Sequence, residues 1–517
     1  MMIELMLAAV LQLTGGASEY ENVIHPGRSD GSGFWNEKAK WFMYAPAFPF
    51  GTVAGAKAYR FEVLDGVGAA HRFEAERPTE SLSGVWSKLP TGFVTVRCTG
   101  VDAAGTEIGL SGARTFWKAA GFREGAYPKA AKGYCETAIG IFDYVFNMPA
   151  TQYLLDNGRL DLRLPTNSYG SKMCAALINA MVRYAELKPE RRERALQVAR
   201  AAAKYILDLA EPADSPLAYF PPTYAGAGEN NTGTRYAGQH MLIYPACMAS
   251  ALVRLAKMTG DDGYLVTAER IASTYLKLQG EDGTWSLKMY AKDGKPVNPN
   301  RLVPIESTVP MFEALFAATG KAVYRAAADR AFAYMDRTRL ADWNWEGQFE
   351  DVPPTEQYQN LTKHGACSTA IYLAERFKGD AVRMTQMREL ARFAEDQFVC
   401  WEPPFAGGPI VPKATWASPT YATWQTPCAL EQYNCYWPID ASAAKLIRTY
   451  LALYRAEGRP VDLAKARALG DTMTRMQDPD GRMPTWWYFA QTGRKGDWIN
   501  CMIASAVALG ELAEFDE

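Results

Sequence analysis

The spacing of hydrophobic residues along the chain changes once, near Phe122. Before this residue, the segments KAYRFEVLDG, FVTVRCTGVDAAGTEIG and ARTFWK alternate apolar and polar positions between turns rich in Gly, Pro and Asp. This period of two is typical of β-strands that bury one face. After AYPKAAKGY, apolar residues recur every three to four positions, which is the period of an α-helix. The pattern predicts a β domain over residues 21–122 and a helical domain over residues 123–517.

The helical part contains stretches of two kinds that alternate along the chain. Stretches of the first kind carry charge on one face, which suits a helix that borders solvent. Stretches of the second kind are small and apolar on most sides, which suits an enclosed helix. The charged stretches are 136–155, 190–209, 262–278, 322–338, 381–399 and 462–476, and the apolar stretches are 169–187, 240–259, 305–319, 364–377, 440–457 and 498–514. Six alternate with six, so the sequence predicts an outer and an inner ring of helices, an (α/α)6 barrel.

The loops between these helices differ in length in a regular way. Links from an apolar stretch to the next charged stretch are short, as in TGDDG, TGK and KGD, whereas the return links are much longer. Long loops are uncommon in compact domains unless they carry function. All of the long loops are expected to open at one end of the barrel, at the N-termini of the inner helices. That end is the predicted active face.

Composition and charge fit a well-packed globular protein. Of the 517 residues, 48% are hydrophobic and 12% are aromatic, and the formal net charge is −2, which argues against a nucleic-acid partner. The nine Cys lack metal-type spacing. Four of them, Cys174, Cys247, Cys367 and Cys501, lie in apolar helical stretches and are expected to be buried free thiols. We therefore predict no metal site and no cofactor.

The first residues of the chain are similar to a leader segment. MMIELMLAAVLQLTGGASE has an apolar run of about the length of a signal h-region, followed by small residues, although Glu4 stands where a basic residue is expected. The prediction is a signal or leader over residues 1–20 and a periplasmic or secreted protein, with a cytoplasmic location as the alternative. No run approaches about 18 uninterrupted apolar residues, so no membrane span is predicted. None of these patterns predicts an oligomeric state.

The segment VWSKLPTGFVTVRCTGVDAAGTEIGLS resembles the late strands of a fibronectin type III or immunoglobulin-like sandwich. The order of the whole chain, with six helical hairpins after such a sandwich, resembles the six-hairpin glycosidase superfamily. That superfamily includes cellulases, unsaturated glucuronyl hydrolases, glucuronidases and toroidal polysaccharide lyases. The resemblance implies a β-sandwich followed by an (α/α)6 toroid, with an oligosaccharide or polysaccharide as substrate. The aspartate-pair motifs of the cellulases are not evident, so the glucuronidase-like branch is favoured.

A Glu-Gln-Tyr trio occurs twice, in TEQYQN and in LEQYN. Both copies lie in long loops, just before the fourth and fifth inner helices. In one interpretation, Glu356 and Glu431 are the two carboxyl groups that glycoside hydrolysis requires, with Tyr358 and Tyr433 beside them. In the other interpretation, the trio fastens equivalent loops of a pseudo-repeat. The sequence leaves both open.

Two more carboxyl groups and two histidines are candidates. Asp351 follows Glu350, which can raise its pKa if both are buried, and Glu306 lies in the first turn of an inner helix. His240 and His364 begin the second and fourth inner helices. Neither histidine has carboxylate or Cys neighbours at ligand spacing. Each is therefore predicted to contact substrate or to be a satisfied structural group.

The long loops also carry residues suited to an acidic sugar. Arg presents a planar fork for a carboxylate, and Asn can hydrogen-bond to hydroxyl groups. Lys at a helix start adds to a helix end that already favours anions, and Trp offers a flat face for a sugar ring. The predicted substrate-binding residues are Asn231, Arg235, His240, His364, Tyr358, Tyr433, Lys363, Trp424, Trp486 and Trp487. The alternative is that they belong to ordinary surface loops.

These residues predict a glycoside hydrolase that acts on acidic, uronic-acid-containing glycans through two carboxylates. A polysaccharide lyase is an alternative, because lyases of the resembling architecture use Asn, His, Tyr and Arg. Asn231, Arg235, His240 and Tyr244 could supply that set. A uronate C5-epimerase would look similar, and a non-catalytic glycan-binding protein is the remaining alternative. The chemistry of the product would distinguish these functions.

Overall fold

The computed structural model describes residues 39, 41–225, 236–346, 358–403, 424–433, 435–487, 496 and 498–516. The chain divides into two compact units. Unit 1 comprises Met1–Ala131, Ala341–Arg475 and Trp486–Lys495, and unit 2 comprises Lys132–Leu340, Met476–Thr485 and Gly496–Glu517. Within the described ranges, no helix is long and apolar enough to cross a membrane.

Unit 1 begins with a five-stranded sheet. Its strands are β1 (Trp41–Phe42), β2 (Ala58–Leu64), β3 (Ala70–Ala75), β4 (Gly92–Val101) and β5 (Glu107–Lys118), and the short helix α1 (Ser83–Trp86) precedes β4. The strand order is β1-β5-β4-β2-β3, with β1 parallel to β5 and the other pairs antiparallel. Val94, Val96 and Cys98 alternate along β4 and are fully buried, as a period of two predicts.

The predicted β-sandwich is not found among the described residues, because these N-terminal strands form one sheet rather than two. The edge strand β1 is instead tied to a helix of the same unit. Asp396 accepts hydrogen bonds from the backbone N–H groups of Met43 and Tyr44, both at 2.7 Å, and Gln397 Nε2 donates to the Trp41 carbonyl oxygen at 2.7 Å. Burial raises the pKa of Asp396 to about 7, although the N–H donors favour its ionised form.

Unit 2 is built from helices and one short two-stranded sheet. The helices are α2 (Tyr134–Asn147), α3 (Pro149–Asn157), α4 (Gly170–Leu187), α5 (Arg192–Leu207), α6 (Ile243–Thr259), α7 (Asp262–Leu278), α8 (Ile305–Thr319) and α9 (Ala322–Arg337), with Ile499–Leu512 near the end of the chain. The sheet pairs β6 (Gln239–Met241) with β7 (Lys288–Tyr290). A short helix, α10 (Arg339–Asp342), follows α9 in the chain.

The described helices agree with the predicted stretches to within one turn, apart from the first. The predicted helix 136–155 is two helices, because Met148 leaves the helical conformation at ψ 140°. A residue before proline is driven out of the helical region by the proline ring, and Pro149 follows here. The same ring then suits the first position of the next helix.

Burial separates the two predicted kinds of helix. α6 is buried on most sides, whereas α7 buries a narrower stripe that includes Ile271 and Tyr275. α6 ends at Gly260, with φ 72°, and α8 ends in the same way at Gly320, with φ 68°. Glycine adopts this left-handed conformation without steric cost, so each helix stops sharply and the short predicted link follows.

The helices of unit 1 form the second half of its fold. They are α11 (Lys363–Arg376), α12 (Ala381–Phe398), α13 (Asp440–Glu457) and α14 (Pro460–Met476). The helix Ile499–Leu512 near the end of the chain, which belongs to unit 2, is numbered α15. A three-stranded sheet of order β10-β9-β8 precedes α13, with strands β8 (Val399–Cys400), β9 (Cys428–Gln432) and β10 (Cys435–Pro438).

Eight cysteines in the described residues are free thiols, and those residues contain no group of His, Cys, Asp and Glu that could hold a metal.

Candidate active site

The starts of α11 and α13 meet at strand β9 in unit 1. Thr362, the residue before α11, pairs with Gln432 of β9, and the Tyr433 N–H donates to the Leu361 carbonyl oxygen at 3.0 Å. The residue before α13 donates a backbone hydrogen bond to the same strand at 3.1 Å. Two predicted inner helices therefore begin beside one strand, and that strand carries Glu431.

Lys363 holds the backbone of Glu431. The lysine side chain is fully buried, and its Nζ donates to the Glu431 carbonyl oxygen at 2.7 Å and to Ser442 Oγ. Thr362 Oγ1 donates to the same carbonyl oxygen at 3.1 Å. A buried ammonium requires such acceptors, because burial without hydrogen bonds is costly. The Glu431 side chain itself is only half-buried, so a fixed backbone presents a partly exposed carboxyl group.

His364 follows Lys363 directly, but its side chain is exposed to solvent. The surrounding protein nevertheless desolvates the ring, which lowers the pKa of His364 well below its ordinary value, and the charges of Lys363 and Lys445 lower that pKa further. At neutral pH the imidazole is uncharged and able to accept a proton.

The cations near His364 come from two helices. Lys363 begins α11, and Lys445 lies on α13, where its Nζ donates to Ser368 Oγ of α11 at 3.1 Å. Because both lysines lower the pKa of His364, the electrostatic potential at the imidazole is positive. A positive potential at an exposed position favours an anionic group such as a carboxylate.

The tyrosines of the two trios anchor their own loops. The Tyr358 side chain is buried, and its hydroxyl group donates to the Asp342 carbonyl oxygen at 2.8 Å. Tyr433 is also buried, and its hydroxyl group donates to Gln397 Oε1. Burial raises the pKa of Tyr433 well above its ordinary value. Both hydroxyl groups therefore meet protein partners, as the loop-fastening interpretation of the tyrosines expects.

The three predicted tryptophans differ in exposure. Trp424 and Trp487 are buried, so neither offers an open face to a sugar. Trp487 lies within a backbone ladder, because its N–H donates to the Pro438 carbonyl oxygen and its own carbonyl oxygen accepts from the Gln425 N–H, both at 3.0 Å. Trp486 is half-buried and keeps part of its side chain at the surface. Of these three, Trp486 is the one suited to contact a ligand.

His240 has a different environment, in unit 2. Its side chain is 3% exposed, and its Nε2 lies 2.9 Å from Glu211 Oε1. This hydrogen bond lowers the pKa of Glu211, and Ser215 Oγ adds a second hydrogen bond to the same carboxylate at 3.2 Å. Nδ1 of His240 has no hydrogen-bond partner within the described ranges. His240 is therefore a buried partner of a carboxylate, and its role in binding substrate stays a prediction.

Glu306 lies in the first turn of α8, as predicted. Its Oε1 accepts a hydrogen bond from Arg339 Nη1 at 3.4 Å, and the side chain is 10% exposed. Oε2 is buried and, considering only the described residues, has no hydrogen-bond partner. Glu306 belongs to unit 2, whereas Glu431 belongs to unit 1. The first arrangement is a mostly buried ion pair, and the second is a partly exposed carboxyl group.

Four predicted site residues lie outside the described residues: Asn231, Arg235, Asp351 and Glu356. Their roles stay predictions. Conversely, the sequence analysis did not single out Lys445, Ser442 or Glu211. Lys445 is a charged residue within a mostly apolar stretch, which is a signal for a buried polar contact. Glu211 lies in the loop after α5, where no spacing marks it.

Comparisons with known proteins identify the fold. No family model matches the sequence, and no curated protein matches it. A structure of D-mannose isomerase is 12% identical, covers 75% of this chain and 99% of its own, and has a TM-score of 0.52. Cellobiose 2-epimerase from Spirochaeta thermophila DSM 6192 is 13% identical over 74% of this chain and 98% of its own, with a TM-score of 0.51. The helical part of this chain therefore shares the fold of (α/α)6 toroid enzymes, as the sequence predicted.

Proposed function

We propose that this protein is a carbohydrate-active enzyme, a glycoside hydrolase that acts on acidic, uronic-acid-containing glycans. The observation that carries the proposal is the position of Glu431. Lys363 and Thr362 hold its carbonyl oxygen, while its side chain stays partly exposed. A carboxyl group on a fixed backbone is suited to catalysis, because the reacting oxygens are confined to a narrow range of positions.

In this proposal Glu431 supplies one catalytic carboxyl group and Glu356 supplies the other. Glycoside hydrolysis uses one carboxylic acid to protonate the leaving oxygen, and one carboxylate to attack the sugar or to activate a water molecule. The repeated Glu-Gln-Tyr trio suggested the pairing, because each Glu stands two residues before a Tyr whose buried hydroxyl group donates a hydrogen bond to the protein.

The acidic substrate is supported by the charges at the start of α11. Lys363 and Lys445 make the potential at His364 positive, and His364 is exposed to solvent. A carboxylate of a uronic acid would gain from that potential, whereas a neutral sugar would not. A glucuronidase-like activity is the form of the proposal that combines this charge with the two carboxyl groups.

His364 supports a second candidate function, proton transfer at C5 of a uronate. Lyases and C5-epimerases both begin by removing this proton. An exposed imidazole whose pKa lies below its ordinary value is uncharged at neutral pH and can act as the base. A lyase then eliminates the substituent at C4, and an epimerase returns a proton to the opposite face.

The products separate these functions. The full-length protein would be incubated with oligosaccharides that end in glucuronic acid and with their neutral analogues. A hydrolase forms new reducing ends without an unsaturated sugar, and a lyase forms the unsaturated sugar with its ultraviolet absorbance. An epimerase incorporates deuterium at C5 in D₂O without chain cleavage. We expect new reducing ends from the acidic substrates alone, and a protein that binds the oligosaccharides without any of these products would contradict every enzymatic assignment.

A further inference from the structure

Four tyrosines and two lysines lie together in unit 2, at the starts of α4 and α6. This group, which we call the Tyr/Lys cluster, comprises Tyr169, Lys172, Tyr224, Tyr236, Tyr244 and Lys288. The ring centroids of Tyr169 and Tyr224 are 5.7 Å apart, and those of Tyr224 and Tyr236 are 5.0 Å apart. Tyr169, Tyr224 and Tyr236 therefore form a continuous row of rings, and Lys172 links Tyr244 to that row. Its position at inner-helix starts agrees with the predicted active face.

Lys172 lies over two of these rings. It belongs to the first turn of α4, and its Nζ is 5.2 Å from the ring centroid of Tyr169 and 5.6 Å from that of Tyr244. Tyr169 is the residue before α4, and Tyr244 lies in the first turn of α6. The packing of two helix starts thus places an ammonium group between two ring faces. A cation over an aromatic face is attracted by the electron density of the ring, which limits the positions of the charge.

Lys288 repeats this arrangement from another element. It lies on β7, and its Nζ is 4.1 Å from the ring centroid of Tyr236 and 5.5 Å from that of Tyr224. The two cations therefore lie over different pairs of rings, and the contact between Tyr169 and Tyr224 joins the two pairs.

The cluster combines a buried base with a solvent-accessible rim. Tyr224 and Tyr244 are each 8% exposed. Tyr169, Lys172 and the two remaining members, on the β6–β7 side, are half-buried. The half-buried members of the cluster therefore reach solvent in part, from positions that packing holds in place.

We propose that the Tyr/Lys cluster binds the acidic sugar of the substrate, with the rings against the C–H faces of the sugar and the ammonium groups on its carboxylate. Aromatic faces suit the apolar faces of sugar rings, and a charge-assisted hydrogen bond is stronger than a neutral one. This inference rests on the proposed function, because it takes the ligand to be that enzyme's substrate. It adds a selective binding site for the uronic acid in unit 2.

The test compares the binding of D-glucuronate and D-glucose to the full-length protein by NMR titration. The unchanged protein should bind D-glucuronate more tightly. Lys172→Met keeps an apolar side chain against the two rings but removes the charge. It should weaken D-glucuronate binding at least about fivefold, since solvent partly screens a half-buried contact, and should change D-glucose binding less than about twofold.

Two further variants separate the rings from the charge. Tyr169→Ala removes a ring and should weaken the binding of both sugars, whereas Tyr169→Phe keeps the ring and should preserve both. Lys204→Ala is the matched control, because it removes an exposed lysine of unit 2 that pairs with Asp208 on the helix surface. Both affinities should be unchanged in this control. Equal affinity of the unchanged protein for the two sugars, or an unchanged D-glucuronate affinity in folded Lys172→Met, would overturn the proposal.

Turnover of Glu431→Gln tests the hydrolase proposal independently, because Glu431 is not part of the cluster. If Lys172→Met loses the preference for D-glucuronate while Glu431→Gln hydrolyses substrate normally, the binding site is supported and the catalytic assignment is overturned. If Glu431→Gln is inactive while Lys172→Met binds both sugars like the unchanged protein, the hydrolase is supported and the binding site is overturned.

Discussion

His240 and His364 hold equivalent places in the sequence but meet opposite charges in the folded protein. Each stands at or near the start of an inner helix. His240 is buried in unit 2, with Glu211 at 2.9 Å from its ring. His364 is exposed in unit 1, beside Lys363 and within the influence of Lys445. One imidazole is a hydrogen-bond partner of a carboxylate, and the other lies in a positive potential.

The difference shows that the segment before a helix determines which groups surround the side chains at the helix start. Before α6, strand β6 pairs antiparallel with β7, a strand distant in the sequence, and this pairing places His240 opposite Met289. Before α11, Thr362 and Lys363 instead hold the carbonyl oxygen of a neighbouring strand, and the next side chain, His364, remains open. In the first arrangement the imidazole hydrogen-bonds to Glu211 inside the fold. In the second, the imidazole is exposed and the carboxyl group of Glu431 is half-buried.

The largest expected effect tests whether the carboxyl group of Glu431, in unit 1, or that of Glu211, in unit 2, takes part in the reaction. Glu431→Gln should lower kcat by at least about 10³, on the order of 4 kcal/mol, because an amide can neither donate the proton nor attack the sugar. Glu211→Gln is the matched change beside His240, and it should leave kcat within about tenfold. Both would be measured by the release of reducing ends. An equal loss of kcat in Glu211→Gln would transfer the catalytic assignment to unit 2.

A second prediction concerns the two lysines near His364. Lys363→Met removes a fully buried ammonium that donates to the Glu431 carbonyl oxygen and to Ser442, so the free energy of unfolding should fall by about 2–3 kcal/mol. Lys445→Met removes the hydrogen bond to Ser368 from a half-buried position and should cost less than about 1 kcal/mol. Urea denaturation measures both. Similar losses for the two variants would show that Lys363 does not hold the strand.

A third prediction uses the pH dependence of the pair formed by His240 and Glu211. The fold lowers the pKa of Glu211 below its ordinary value of 4.5, so the ionised form stabilises the protein above about pH 4.5. Glu211→Gln should lower the free energy of unfolding by about 1–2 kcal/mol at pH 7. The difference between the two proteins should narrow as the pH falls below about 4.5, where the unchanged side chain becomes protonated. A difference that stays constant over this range would mean that the carboxylate charge is not involved.

The helices were predictable because their boundaries are local properties. α7, α8 and α13 begin and end at the predicted residues. The hydrophobic period, the glycine caps and the prolines that set these boundaries each depend on only a few neighbouring residues. The number of sheets is not local, since strand pairing depends on distant segments. Asp396 lies over 350 residues from Met43 and Tyr44, whose backbone N–H groups it binds just after β1, and no pattern in the sequence predicts that contact.

For the candidate site, the sequence predicted the types of residue better than the directions in which their side chains point. Lys363 and His364 lie at a helix start, as the sequence predicted, but Lys363 is buried and His364 is exposed. Trp486 and Trp487 are neighbours in the same loop, and only the first reaches the surface. Successive side chains point to opposite sides in an extended segment and about 100° apart in a helix, so a shift of one residue changes which side chain is exposed. Loop sequences do not fix that register.

The smallest expected effect concerns the two histidines themselves. The fold lowers the pKa of His364 below its ordinary value of 6.5, so above that pH its protonation costs no stability. Below about pH 6.5 the unfolded chain binds a proton that the folded chain does not, and stability is lost as the pH falls. His364→Gln removes this loss. Its Tm should stay within about 2 °C of the unchanged protein at pH 8, because the side chain is exposed there and uncharged, and should fall less steeply on acidification.

His240→Gln is the corresponding substitution at the buried histidine, and its effect on Tm is compared with that of His364→Gln. This variant loses the bond to Glu211 from a buried position, so its Tm should already be reduced at pH 8. Calorimetry from pH 8 to pH 5 follows both variants under the same conditions. If the two substitutions lowered Tm equally at pH 8, His364 would be as embedded in the packing as His240. The open imidazole on which the proton-transfer candidate rests would then be excluded, and the carboxyl group of Glu431 would stand as the reactive group at the start of α11.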